Sequence, residues 1–205
     1  RRPWKEEQLG GGYRISSWVE RDAYANANAI IAVSEGMRAD VLDCYPFIDP
    51  AKVHVVYNGI NTEVYHHEPA TNALTEHGVD PEKPYILFVG RITRQKGISH
   101  LLRSARMFDE NIPIVLCAAS PDTPELGAEV AAAVEELKRT RQNVHWIDAQ
   151  LSRDDVVQFL SHALLFACPS IYEPLGIVNL EAMGCEAPVV ASAVGGIPEV
   201  VRPCE

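Results

Sequence analysis

Short apolar runs alternate along the chain with longer amphipathic stretches. Most of the apolar runs are continuous, which is typical of parallel strands that are covered on both faces. The apolar runs predict seven strands, at residues 29–33, 53–56, 85–89, 112–117, 144–147, 164–168 and 188–191. The amphipathic stretches predict six helices, at residues 16–27, 35–44, 97–108, 124–140, 152–161 and 177–184. This alternation predicts an α/β fold built on a doubly wound parallel sheet.

The uneven distribution of these elements predicts two domains. Residues 1–64 supply two strands and two helices, too few to complete a domain, so we assign them to the end of a first domain. Residues 65–84 contain prolines and polar residues without a clear period, which predicts a crossover between domains. Residues 85–205 supply five strands and are expected to form most of a second domain. Because the first residue is not Met, we expect the chain to begin within a longer protein.

Composition narrows the range of functions. A formal net charge of −10 argues against nucleic-acid binding, which needs a basic face to neutralise phosphates. No run approaches the ~20 apolar residues of a membrane span, so we expect no membrane association. The five cysteines include no Cys-x-x-Cys pair, and Cys117 and Cys168 lie in apolar runs, where burial is expected. Cysteine usage therefore favours the cytoplasm, and neither the cysteines nor the His66-His67 pair has metal-ligand spacing.

The first candidate site follows the strand predicted at residues 85–89. Gly90 and Arg91 come directly after this strand, and Lys96 and Gly97 follow five residues later. Ligands of open α/β sheets bind beyond the carboxyl ends of the strands. Arginine offers a planar fork to phosphate oxygens and lysine a mobile point charge, as a departing diphosphate requires. A solvated basic turn without function is the alternative interpretation of this loop.

The second candidate site follows the strand predicted at residues 164–168. Glu173 and Gly176 precede an apolar helix that begins near Ile177, and Glu181 lies about one turn inside it. Free N–H groups at the start of this helix form an anion site. The two carboxylates can hold hydroxyl groups at the ends of a ligand roughly 10 Å long, such as a nucleoside diphosphate sugar. Alternatively, Glu181 is an exposed helical residue and Glu173 interacts only with the helix dipole.

Together the two motifs resemble those of family 4 retaining glycosyltransferases, which have the GT-B fold. They read Gly90-Arg91-x-x-x-Gln95-Lys96-Gly97 and Glu173-Pro174-x-Gly176, followed by Glu181. The resemblance extends over essentially the whole chain. Within the family, residues 9–18 and 117–125 are most similar to actinobacterial-type glycogen synthases. Those enzymes use ADP-glucose or UDP-glucose to build α-1,4-glucan or its maltose 1-phosphate precursor.

The resemblance implies a role for each site residue. Arg91 and Lys96 would bind the diphosphate and Glu173 the sugar hydroxyls, which makes these three the candidate catalytic residues. Glu181 would bind the ribose, and Leu151 would lie near the base. Backbone N–H groups would complete the donor site, those of Leu175, Gly176, Ile177 and Val178. Many relatives have an aromatic residue in place of Leu175, but only its backbone is expected to matter.

The function implied by the resemblance is retaining transfer of glucose from a nucleoside diphosphate glucose, with ADP-glucose favoured, to an α-glucan or glucose 1-phosphate. No cofactor and no metal ion are expected, and the full-length protein could form a homodimer. The family's glycine-rich loop and acceptor-side histidine do not occur in this sequence, so the 205 residues alone are expected to be inactive. One alternative is a family 4 enzyme that acts on a lipid or cell-wall glycan. Another is a nucleotide-sugar-binding module without turnover, whereas a sugar-nucleotide epimerase is disfavoured for want of acid–base residues.

Overall fold

A computed structural model describes residues 12–202 of the chain. These residues divide after Asn58 into two compact units, each with its own parallel β-sheet. None of the helices in this part of the chain is long and apolar enough to cross a membrane. The smaller unit precedes Gly59.

The first unit contains two helices and two strands, as the pattern predicts. They are α1 (Gly12–Asn26), β1 (Ile30–Ala32), α2 (Glu35–Cys44) and β2 (Val53–Val55). The strands pair in parallel, with Ile30 opposite Val53. Ser34 starts α2, because its side chain accepts a hydrogen bond from the backbone N–H of Met37. Helix α1 begins four residues earlier than the predicted boundary at residue 16.

The second unit, from Gly59 onward, contains one five-stranded parallel sheet. Its strands are β3 (Ile86–Arg91), β4 (Ile114–Ala119), β5 (Val144–Ile147), β6 (Leu165–Cys168) and β7 (Val189–Ala191). Its helices are α3 (Asn72–Glu76), α4 (Ile98–Ser104), α5 (Pro124–Thr140), α6 (Arg153–Ser161), α7 (Ile177–Gly184) and α8 (Ile197–Val200). The strand order across the sheet is β5-β4-β3-β6-β7. All five strands coincide with predicted apolar runs.

Helices cover both faces of this sheet, which confirms the doubly wound arrangement. Alternate residues of β3 point to opposite faces, so Phe88 and Leu87 belong to different apolar cores. The core that contains Phe88 includes Leu101 of α4 and Val134 of α5. The core that contains Leu87 includes Phe159 of α6, together with residues of α3, α7 and α8. Burial on both faces explains why the strands read as continuous apolar runs.

Three details of the predicted elements are wrong. Helix α3 lies within the segment 65–84, for which no regular structure is predicted, and its Leu74 is fully buried. The helix predicted at residues 97–108 ends at Ser104 and continues only as a 3₁₀ turn. Helix α8 is short and is missing from the prediction. The short length of α3 and α8 explains both omissions, because one turn carries too few residues to show a period.

Candidate functional site

The two candidate loops lie side by side, because β3 and β6 are neighbours in the sheet. The chain runs outward from β3 through β4 to β5 on one side, and β6 and β7 lie on the other. The strand order therefore reverses between β3 and β6. In open α/β sheets a crevice forms at such a switch point, beyond the carboxyl ends of the strands. Both motifs identified in the sequence border this crevice.

Direct backbone contacts join the two loops. The backbone N–H of Ile171 donates to the carbonyl of Gln95 at 2.8 Å. Gly97 has φ +66°, and a Cβ atom built on it would lie 2.0 Å from the carbonyl oxygen of Pro169. Only glycine allows both this left-handed conformation and this close approach. Gly97 is therefore required for the contact between the loops, beyond any role in forming a turn.

A half-buried ion pair connects the basic motif to the acidic one. Lys96 Nζ donates to Glu173 Oε2 at 2.7 Å, and the exposed fractions of the two side chains are 24% and 10%. Ser170 Oγ donates to the same oxygen at 3.3 Å. Among residues 12–202, no hydrogen bond falls on Glu173 Oε1. The Glu173 carboxylate is thus held through one oxygen, and its second oxygen can accept a hydrogen bond from a ligand.

The main chain of Glu173 is also fixed, by the loop that follows β7. The N–H of Gly196 donates to the Glu173 carbonyl at 2.9 Å. Gly195 has φ +54°, and a Cβ atom on it would lie 2.0 Å from the same carbonyl oxygen. Gly195 and Gly196 had no predicted role. Two consecutive glycines after a strand could have indicated this contact, since glycine allows a loop to approach a neighbouring backbone closely.

Arg91 is the last residue of β3, which ends two residues later than predicted. Its side chain is 66% exposed, and its Nη2 donates to Oδ1 of Asp122, in the loop that follows β4. The sequence predicts Arg91 as a diphosphate-binding residue but indicates no function for Asp122. Because Asp122 is distant from Arg91 in sequence, only the pairing of β3 with β4 brings the two side chains together.

Helix α7 begins at the crevice, as the sequence predicts. Its N-cap is Gly176, with φ +91°, and Ile177 is its first residue. Leu175 is 2% exposed, so its side chain packs inward and leaves only its backbone near the crevice. Val178 is half-buried. The first turn of α7 supplies free N–H groups and the positive end of the helix dipole, which favour an anion.

Glu181 lies on α7 and forms a hydrogen bond with Tyr65, which had no predicted role. Burial and a hydrogen bond with Glu181 raise the pKa of Tyr65 to about 12. Burial raises the pKa of Glu181, while the Tyr65 hydroxyl and the positive charge of Lys96 act in the opposite direction. The Glu181 carboxylate therefore lies partly desolvated between Tyr65 and the basic loop. Its hydrogen-bonding capacity is not used up by one hydroxyl donor.

A cavity of roughly 290 Å³ opens beside Arg91, at the carboxyl ends of β3 and β4. Leu151, from the loop after β5, lines it together with Gly90, Cys117 and Ser120. Burial raises the pKa of the Cys117 thiol to about 12, so this group stays neutral at physiological pH. The cavity is largely apolar and has the Arg91 cation at its edge, which suits a flat, uncharged group attached to a phosphate.

The arrangement can therefore bind an extended ligand with an anionic centre. Lys96 contacts a carboxylate with a free oxygen, helix α7 begins on the same loop as that carboxylate, and Arg91 lines an apolar cavity. Within residues 12–202, no three His, Cys, Asp or Glu side chains lie close enough together to hold a metal ion.

Family comparisons cover nearly the whole chain. Residues 71–205 match the family model described as "Glycosyl transferases group 1", and residues 3–64 match "Glycosyltransferase Family 4". Alpha-maltose-1-phosphate synthase from Mycolicibacterium smegmatis is 56% identical over 203 residues, which cover 98% of this chain and 52% of that protein. The chain thus spans about half the length of the curated relatives it matches.

Two solved structures have similar folds. Sucrose-phosphate synthase from Thermosynechococcus elongatus matches with a TM-score of 0.74 at 27% identity, over 91% of this chain and 46% of that one. Anabaena HepE in complex with UDP-glucose matches with a TM-score of 0.76 at 22% identity, over 88% of this chain and 49% of that one. The second likeness concerns the fold alone.

Proposed function

Because the chain belongs to the group 1 glycosyl transferases and has their GT-B type of Rossmann-like fold, we propose that its second domain binds a nucleoside diphosphate sugar. In this proposal residues 85–205 form the donor-binding domain, residues 1–64 belong to the acceptor domain and residues 65–84 join the two. The full-length protein is a retaining glycosyltransferase. Its donor is a nucleoside diphosphate glucose.

The observation that carries the proposal is the position of Arg91, Lys96 and Glu173. Arg91 is the last residue of β3 and Lys96 lies on the loop that follows, whereas Glu173 is on the loop after β6. The 2.7 Å contact between Lys96 and Glu173 lies at the point where the strand order reverses. A ligand in that crevice would meet positive charge and a hydrogen-bond-accepting carboxylate at neighbouring positions. A diphosphate bonded to a sugar has the matching chemistry.

The remaining residues indicate which end of the donor would lie at which end of the site. The apolar cavity lined by Leu151 would receive the base, and Glu181 would accept hydrogen bonds from the ribose. The diphosphate would lie against Arg91, Lys96 and the first turn of α7. There its oxygens would accept hydrogen bonds from the N–H groups of Ile177 and Val178. Leu175 and Gly176 would offer N–H groups near the sugar. Glu173 Oε1 would accept from the sugar hydroxyls.

In the proposed reaction, the bond between the anomeric carbon of glucose and the diphosphate oxygen breaks. Its electron pair stays with the nucleoside diphosphate, whose growing charge is stabilised by Arg91 and Lys96. The acceptor hydroxyl forms the new bond on the same face, and its proton leaves with the diphosphate oxygen. Configuration at the anomeric carbon is thereby retained. Both residues act electrostatically, without a covalent intermediate on the protein.

For the substrates, we propose ADP-glucose as the favoured donor and glucose 1-phosphate or an α-glucan as the acceptor, in a cytoplasmic pathway of glycogen synthesis. The name of the M. smegmatis relative, alpha-maltose-1-phosphate synthase, supports a sugar-phosphate acceptor. The apolar cavity accepts an uncharged base but has no feature specific to adenine, so UDP-glucose is the competing donor.

Donor binding tests the proposal directly. ADP-glucose, UDP-glucose and GDP-glucose are added separately to the chain, and the ligand that binds best should give the largest rise in melting temperature. Calorimetry with Glu173→Gln should then show weaker binding of ADP-glucose, by about tenfold, and nearly unchanged binding of ADP. Glu82→Gln, a change at an exposed residue outside both motifs, is the control.

Three outcomes would reject parts of the proposal. No stabilisation by any of the three nucleotide sugars would reject a donor site, and equal losses for ADP and ADP-glucose would reject the role of Glu173. In the full-length protein, release of ADP should require glucose 1-phosphate or an α-glucan. Release that does not depend on an acceptor would reject the transfer reaction.

A further inference from the structure

The loop that carries Asp122 is joined by backbone hydrogen bonds to the end of β3, where Arg91 lies. Beyond the last strand pair, Ile92 N–H donates to the Ala119 carbonyl at 3.0 Å, and Asp122 N–H donates to the Ile92 carbonyl at 3.0 Å. The next residue, Thr123, caps α5 by accepting from the backbone N–H of Leu126. The main chain at Asp122 is therefore fixed relative to β3 on one side and α5 on the other.

The two side chains of the Arg91–Asp122 ion pair differ in conformational freedom. Asp122 is 20% exposed, whereas Arg91 is 66% exposed and has a long side chain with many rotamers. Ordering a free arginine side chain costs rotamer entropy. The contact uses one guanidinium nitrogen, Nη2, and arginine has five N–H donors in a planar fork. Arg91 therefore has donors left for phosphate oxygens while its guanidinium is already oriented.

We propose that Asp122 is a positioning residue that holds the Arg91 guanidinium at the edge of the cavity, in the orientation that the donor diphosphate requires. This inference rests on the proposed function, in which Arg91 binds the diphosphate. Asp122 itself does not touch the donor. It lowers the entropy lost when the diphosphate binds, because Arg91 is ordered beforehand.

If Asp122 and the diphosphate competed for Arg91, Asp122 would weaken donor binding instead of strengthening it. If the carboxylate only occupied Arg91 in the absence of ligand, its removal would free a cation and strengthen binding. The fixed main chain of Asp122 and the spare donors of Arg91 favour positioning over competition. The sign of the change in affinity therefore separates the two roles.

The experiment measures ADP and adenosine binding by calorimetry. Asp122→Ala should weaken ADP binding threefold to tenfold and leave adenosine binding unchanged, because adenosine has no phosphate. Asp122→Asn, which retains a hydrogen-bond acceptor without the charge, should lose less affinity. The matched control is Glu129→Ala, which breaks the exposed 3.5 Å ion pair with Arg94 and should leave ADP binding unchanged.

A double-mutant cycle with Arg91→Ala shows whether Asp122 acts through Arg91. Arg91→Ala alone should weaken ADP binding, and adding Asp122→Ala should cause no further loss. Tighter or unchanged ADP binding in Asp122→Ala, or an equal loss with and without Arg91, would overturn the positioning role. An unchanged ADP affinity in Arg91→Ala would instead reject the proposed function of Arg91, and the inference with it. Melting temperatures recorded for each variant show that it is folded.

Discussion

Arginine side chains at the two ends of the five-stranded sheet have opposite environments. At the amino ends of β4 and β5, Arg141 is only 4% exposed, and its terminal nitrogens donate to four backbone carbonyls in the connection between α4 and β4. At the carboxyl end of β3, Arg91 is 66% exposed and contacts one carboxylate. The Arg141 guanidinium donates through both terminal nitrogens, whereas the Arg91 guanidinium retains most of its donors.

This difference shows how a structural cation can be distinguished from a ligand-binding one. The carbonyl partners of Arg141 are parts of the main chain, so the side chain holds the connection between α4 and β4 together. The partners of Arg91 and Lys96 are the carboxylates of Asp122 and Glu173, which can share a cation with a ligand. Substitutions at the two ends should therefore affect different properties, stability at one and binding at the other.

The largest effect is expected for Arg141→Ala. The change removes four hydrogen bonds from a buried charged group, each worth about 1.5–3 kcal/mol, and because neighbouring bonds are not additive we expect a total loss of about 3–5 kcal/mol. At 2–4 °C per kcal/mol for a chain of this size, the melting temperature should fall by roughly 6–20 °C. Below that temperature ADP affinity should be unchanged. A melting temperature equal to that of the wild type would remove the contrast between the two ends of the sheet.

Gly97→Ala should have the next largest effect. An added Cβ would lie 2.0 Å from the Pro169 carbonyl oxygen and would also require the left-handed conformation. Gly78→Ala is a matched control, because Gly78 has φ +71° but no atom within 4 Å of an added Cβ. The control should lose about 1–2 kcal/mol from the backbone conformation alone. Chemical denaturation should show a larger loss for Gly97→Ala, together with loss of ADP binding. Equal losses in the two variants would mean that the contact between the loops contributes nothing.

Lys96→Ala should weaken ADP binding by about 1.5–3 kcal/mol, the range for a hydrogen bond to a charged group, which is at least tenfold in affinity. It should also lower the melting temperature slightly, because Glu173 loses its ion-pair partner. Calorimetry measures the first quantity and a thermal melt the second. If Lys96→Ala lost stability on the scale of Arg141→Ala while retaining ADP affinity, Lys96 would be structural.

Glu181→Gln should produce the smallest change, about tenfold in affinity and equal for ADP and ADP-glucose, because its proposed partner is the ribose. Its effect on stability depends on pH. Burial raises the pKa of Glu181 above the ordinary value of 4.5, so its contribution to stability is complete below pH 4.5. That contribution is lost as pH rises through the folded-state pKa. Melts at pH 7 should therefore favour Glu181→Gln slightly, and melts near pH 4 should show no difference.

Much of the fold follows from the sequence because the strands are buried on both faces. Continuous apolar runs such as those at β4 and β6 are typical of parallel strands that are covered on both faces. The boundaries of α5, α2 and α7 also agree with the prediction. Helix α3 was missed because five residues are too few for helical periodicity, although contacts with α6 fix it in the folded chain.

The candidate site was predicted in part. Arg91, Lys96 and Glu173 could be found because each follows a strand in a loop rich in glycine or proline. Asp122 and Tyr65 could not, because their partners are distant in sequence and depend on which strands and helices are neighbours. The proposed roles of all these residues, and the domain boundaries at residues 64 and 85, stay predictions until the binding experiments are done.

The pairing of β3 with β6 also has a consequence for how the chain folds. The two strands are about 80 residues apart in sequence, and Ile86 pairs with Leu165. Contacts of such long sequence separation form slowly, because the entropy of closing the loop is lost before the contact contributes. During synthesis, β3, β4 and β5 are available to pair before β6 emerges. The crevice between β3 and β6 is therefore expected to be among the last parts of the second unit to form.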